Sequence, residues 1–140
     1  MTNAYKELKD KQQKEFNDFP LFFAFGKEQF DEGMKKLGLK PTDTAKVYSF
    51  GFGGFYRKTD ADALKEMLER HDTELKSSIK EDRTGEGFIY DMFSYELANH
   101  EYGYTGELDD TLEALNLTLD EIYAYDNLTN GLENARRDCK

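Results

Sequence analysis

Val47-Tyr48-Ser49-Phe50-Gly51-Phe52-Gly53-Gly54-Phe55-Tyr56-Arg57-Lys58 is the stretch that separates this chain from an all-helical one. Two β-prone runs flank Gly53-Gly54, and the favoured two-residue hairpin turns need positive φ that glycine supplies freely. The pattern predicts that Val47–Phe52 and Phe55–Lys58 pair antiparallel around those glycines. The three glycines do not form a phosphate cradle. Such a loop joins a strand to a helix N-terminus, and the P-loop adds a lysine before Ser or Thr. A lone hairpin is marginal in water, so the rest of the chain must cover it.

On both sides the apolar spacing is helical. Tyr5, Leu8, Gln12 and Phe16 give a stripe over about residues 2–17, stopped at Phe19-Pro20 because the residue before proline is pushed out of the helical region. Leu21–Phe25 reads as a buried extended or turn segment. Gly26, Gln29 and the Phe25/Phe30 pair carry a helix-start signature, and Gly38 is placed to end that helix in a left-handed conformation. Beyond the hairpin, Leu64, Met67, Leu68, His71, Leu75 and Ile79 mark a long helix over about 60–80. Thr84-Gly85-Glu86-Gly87 breaks the chain. Ile89, Met92, Phe93, Glu96, Leu97 and His100 mark a helix over 88–100. Shorter helices are predicted around 108–115, 119–123 and 128–137, with Thr118 and Thr129 as caps. The expected class is α+β, mostly α: five to seven helices packed around one β-hairpin at about residues 47–58. With no repeat, low-complexity tract or Pro/Ser-rich linker, residues 1–140 read as a single domain.

Composition narrows the function. The 140 residues hold one cysteine, Cys139, which excludes a disulfide scaffold. The longest apolar run, 19–25, is far too short for a membrane span, and no basic stretch leads into an apolar secretion signal. A cytoplasmic protein without a membrane role is expected. The net charge of −10 argues against direct nucleic-acid binding, which relies on clustered Lys and Arg. That charge is unevenly spread. Residues 1–85 are neutral, with 16 acidic and 16 basic side chains, whereas 86–140 carry 13 acidic and 3 basic. No Lys or Arg falls between Arg83 and Arg136, while twelve Asp and Glu do. The segment is too rich in large apolar residues to be a disordered acidic tail.

Catalytic and metal chemistry are thinly supplied. Glu96 and His100 share a helix face and Glu101 follows directly, which makes them the best metal or acid/base candidates. The paired-His helix motif is absent, however, and a helix-end pair in which His100 favours the C-terminal dipole explains the spacing as well. Asp82, Thr84, Glu86 and Gly87 imitate the opening of a calcium loop, but the twelfth position is Phe93 instead of a bidentate Glu. No nucleophile has a base beside it in sequence. The pattern therefore predicts no catalytic residues and no cofactor. A small enzyme or metal-dependent protein centred on Glu96, His100 and Glu101 is the alternative.

The acidic segment carries the main functional expectation. Around Glu107–Leu115, Leu108, Leu112 and Leu115 form one stripe, and Glu107, Asp109, Asp110 and Glu113 cover the other side. Like charges at those spacings repel and weaken the helix. Carboxylates on rigid helices can reproduce the charge of a phosphate backbone and occupy a basic groove through the same ionic term. Glu107, Asp109, Asp110, Glu113, Asp120 and Glu121 are the expected partner-binding residues. Tyr90, Tyr95, Tyr102, Tyr104, Tyr123 and Tyr125 accompany them, a residue type favoured in interfaces.

Phe22-Phe23-Ala24-Phe25, Glu28-Gln29-Phe30, Gly33-Met34 and Glu96-Leu97-Ala98-Asn99-His100-Glu101-Tyr102 resemble an uncharacterised family of small acidic bacterial proteins associated with mobile elements. The resemblance supplies no active site. It implies the context of acidic inhibitors directed at host nucleases. The leading expectation is a non-catalytic binding protein whose acidic C-terminal half engages a basic protein, a nuclease or other nucleic-acid-binding partner, as a nucleic-acid mimic or inhibitor. A face that is only solvated, and a docking surface that is not a mimic, are the other readings of the same carboxylates.

Overall fold

A computed structural model describes residues 2–139. Eight α-helices and three strands occur among them: α1 (Ala4–Asp18), β1 (Leu21–Phe23), α2 (Lys27–Lys36), β2 (Val47–Ser49), β3 (Gly54–Arg57), α3 (Ala61–Glu81), α4 (Phe88–Asn99), α5 (Tyr102–Thr105), α6 (Asp109–Leu115), α7 (Leu119–Tyr123) and α8 (Asp126–Asp138). The class is α+β, mostly α. The eighth helix is the single turn α5, which has no apolar period to announce it. The chain divides into two compact units, Gln13–His71 and the combination of Met1–Gln12 with Asp72–Lys140. The division falls inside α1 and α3, well away from the charge boundary at residue 85.

The Gln13–His71 unit holds a three-stranded antiparallel sheet of order β1-β3-β2. The predicted hairpin is present, with Val47 opposite Arg57, Tyr48 opposite Tyr56 and Ser49 opposite Phe55. Its turn lies earlier than expected. Gly51, Phe52 and Gly53 all have positive φ, and Phe50 N–H donates to Gly54 O at 3.1 Å to close the loop. Gly54 instead begins β3, where a Cβ would lie 2.3 Å from the Phe50 ring. The segment read as a buried extended or turn stretch supplies β1, Leu21 to Phe23 against Tyr56 to Gly54, but only Phe22 and Ala24 of it are buried, and Phe23 and Phe25 are exposed. Alternation puts Phe22 and Phe55 on one face, where they stack at 5.4 Å and meet Phe30 of α2 edge-on. Met34, Leu37 and Ala24 complete this small core. Past the C-cap Leu37, Leu39 N–H donates to Met34 O and Gly38 N–H to Lys35 O, so the left-handed glycine stop forms as expected.

Phe52 is a bulky residue at φ +52° and is 93% exposed. Left-handed backbone costs such a residue about 1–2 kcal/mol, and no packing offsets it here. Phe52→Asn, which tolerates this conformation, is expected to raise stability by about 0.5–1 kcal/mol in urea melts.

In the other unit α4 is the centre. Ile89, Met92, Phe93 and Leu97 are each fully buried, surrounded by Leu128, Leu132 and Ala135 of α8, Ile122 of α7 and Leu115 of α6. Helix α7 opens with the predicted capping box: Glu121 N–H donates to Thr118 Oγ1 at 3.1 Å, and Thr118 N–H donates to the Glu121 carboxylate. Two expectations need correction. Thr129 does not cap α8, which begins at Asp126. Its hydroxyl lies inside that helix and donates to the carbonyls of Ile122 and Tyr125. Leu68, placed on the core stripe of α3, is 47% exposed. No helix among the described residues is long and apolar enough to cross a membrane.

Candidate functional site

The three residues of the enzyme alternative do not bring their ligand atoms together at one point. Glu96 is 1% exposed and turns toward α1, where its carboxylate accepts the Tyr5 hydroxyl at 3.2 Å and Lys9 Nζ at 3.3 Å. The stem of Lys9 lets the ammonium also sit 5.2 Å from the Tyr95 ring centre. Above Glu96, Thr111 of α6 donates its hydroxyl to the Glu96 carbonyl at 3.3 Å. His100 is the C-cap of α4, as a helix-end role requires, and Glu101 is left-handed and exposed at the start of α5. The buried carboxylate is therefore committed to holding α1 on α4, and the backbone carbonyl of the same residue anchors α6.

Burial and the neighbouring Glu96 carboxylate push the Tyr5 phenol far above its ordinary range. Below about pH 10, the ordinary tyrosine value, both folded and unfolded phenols are neutral and the stabilisation is complete. Above it the unfolded phenol ionises while the folded one stays protonated, so stability falls with rising pH. Tyr5→Phe is expected to cost about 1 kcal/mol at neutral pH and to flatten the alkaline decline. Urea melts of both proteins across pH 8–11 would show it as a difference that is constant at the lower end and narrows steadily as the pH rises through about 10.

The calcium-like loop is also occupied by its own backbone. Asp82 accepts N–H groups from Gly85 at 3.0 Å, Gly87 at 3.1 Å and Ile89 at 2.9 Å, which satisfies the otherwise orphaned donors that lead into α4. Asn127 of α8 donates to the Asp82 carbonyl at 2.9 Å and locks the loop onto that helix.

The acidic segment is less one-sided in space than in sequence. Asp91 caps α1 by accepting Ala4 N–H at 3.0 Å, Glu96 faces Lys9, and Glu133 pairs with Arg136 at 3.4 Å. Of the six expected contact residues, all are exposed, in two settings. Glu107, Asp109, Asp110 and Glu113 lie on α6 and its approach, and none of the four is ion-paired among the described residues. Asp109 and Asp110 occupy the first turn of α6, where the helix dipole favours them. Asp120 and Glu121 instead border a groove that also exposes Lys76 and Lys80 of α3. No local pattern announces this groove, because α3 and α7 are nearly forty residues apart in the chain. Of the tyrosines, Tyr104, Tyr123 and Tyr125 are exposed, while Tyr102 is tied down by Arg136 Nε at 2.9 Å.

A match to the family of unknown function DUF7659 spans residues 4–138. The chain belongs to that family. No curated protein and no solved structure matches it significantly. The DUF7659 match covers both compact units, so the sheet and the acidic helices fall within the span of one family.

Proposed function

We propose that this DUF7659 protein is a non-catalytic binding protein whose acidic C-terminal half engages a basic, nucleic-acid-binding partner. The observation that carries the reading is the set of four exposed, unpaired carboxylates Glu107, Asp109, Asp110 and Glu113 on α6 and its approach. Asp91, Glu96 and Glu133, by contrast, have structural work as a cap and in ion pairs. The four on α6 and its approach cost the helix stability through mutual repulsion, and an external cation relieves it. Resemblance to acidic bacterial proteins of mobile elements, an argument by association, favours a host nuclease in the cytoplasm as the partner.

The test is affinity capture from host lysate with mass identification, followed by binding measurements on the purified partner. Binding should weaken steeply with salt, because exposed charges are screened within about 10 Å at 0.1 M. Competing DNA or RNA should displace the protein if it acts as a mimic. Binding indifferent to salt would overturn the electrostatic reading.

A further inference from the structure

The groove between α3 and α7 has a volume of about 780 Å³, within the range of sites that hold a ligand. Ile79, Leu117 and the buried Leu128 give it an apolar lining, and the exposed Ala124 borders it as well. Its two sides differ in sign. Helix α3 offers Lys76 and Lys80, one turn apart, and α7 offers Asp120 and Glu121. Two of these charges are already engaged: Lys76 with Asp72 at 2.8 Å, and Glu121 in the capping box with Thr118. Lys80 and Asp120 have no ion pair among the described residues and are both exposed.

We propose that this groove receives a short peptide segment of a partner protein. One apolar side chain lodges against Ile79, Leu117 and Leu128, an acidic neighbour sits on Lys80, and a basic neighbour sits on Asp120. Charge complementarity selects this occupant. A nucleic-acid strand meets the carboxylates of α7, and a uniformly basic segment meets the lysines of α3, so both are repelled on one side. A segment of mixed sign satisfies both walls and is held in one orientation by them, while the apolar anchor provides the desolvated contact that a charged rim lacks. The proposal rests on the reading of this half as a protein-binding surface and adds where and how a partner is gripped. It uses a different surface from α6, so the two can fail separately.

The probe is a displayed library of short random peptides, selected on the full-length protein and measured individually by fluorescence polarisation. Selected peptides should share a large apolar residue flanked by opposite charges. Ala124→Trp adds bulk to the groove lining at an exposed position, so the fold should hold by circular dichroism while affinity drops about tenfold or more. The pair Lys80→Glu with Asp120→Lys should reverse the preference between a selected peptide and its charge-swapped twin. The reversal of Asp109, Asp110 and Glu113 to lysine should leave peptide binding unchanged. Absence of enriched peptides, or peptides indifferent to Ala124→Trp, overturns the groove. Peptides lost with the α6 reversal and kept by Ala124→Trp would move the peptide site to α6 and also overturn it.

Discussion

Gly85→Ala is expected to destabilise the protein by about 3 kcal/mol or more, whereas Gly38→Ala should cost only about 1 kcal/mol. Both glycines have positive φ, +82° and +77°. Alanine at either incurs the left-handed backbone term, on the order of 1 kcal/mol. At Gly38 nothing lies within 4 Å of where a Cβ would stand, so that term is the whole effect. At Gly85 a Cβ would stand 2.0 Å from the Asn127 carbonyl oxygen and 3.0 Å from Gly131 N, both backbone atoms of α8. Backbone cannot rotate away, so the Asp82–Gly87 loop must lift from α8. That lift breaks the Asn127–Asp82 bond and disturbs the Asp82 contacts that start α4. Forcing extra volume into packed structure adds about 1–3 kcal/mol. The difference in urea midpoint between the two variants isolates the close approach from the backbone preference. Equal losses at the two sites would mean that the loop does not rest on α8 as described.

What the sequence could reveal followed the range of the interactions involved. The hairpin was legible because its signal is local: β-prone residues on both sides of glycines. The turn lies earlier than the pattern predicts because Gly53-Gly54 imitates a two-residue turn. Gly54 is needed for another reason, to leave room for the Phe50 ring across the hairpin. Strand β1 has only three residues, and its status depends on pairing with β3, which lies more than thirty positions later. The burial of Glu96 was visible in its spacing from Ile89, Met92 and Phe93. Its partners were not, since Tyr5 is 91 positions away. The same distance rule separates the two kinds of carboxylate. A run without Lys or Arg between Arg83 and Arg136 looks uniformly acidic, but Lys9 and Lys76 approach it from earlier helices. The α6 group keeps the character that the sequence assigned to the whole segment, four exposed carboxylates close together with no ion pair among the described residues.

Reversing Asp109, Asp110 and Glu113 to lysine is expected to weaken binding to the basic partner by about a hundredfold or more. Each reversal changes the local charge by two units, and like charges facing each other across an interface cost several kcal/mol, each 1.4 kcal/mol being a factor of ten. The variant will not be silent in stability. Asp109 and Asp110 lie in the first turn of α6, where lysine opposes the helix dipole at about 0.3–1 kcal/mol per site. Thr111 and Leu115 hold the helix from its buried side, so it should persist. Glu113→Lys alone provides the control, because it lies near the C-terminal end of α6, where a cation is favoured. That single variant should match or slightly exceed the parent in thermal midpoint and still bind several-fold more weakly at low salt. Loss of affinity without loss of stability at residue 113 would tie the effect to the surface charge of α6. Full affinity in the triple variant, with the helix intact by circular dichroism, would remove α6 from the interface.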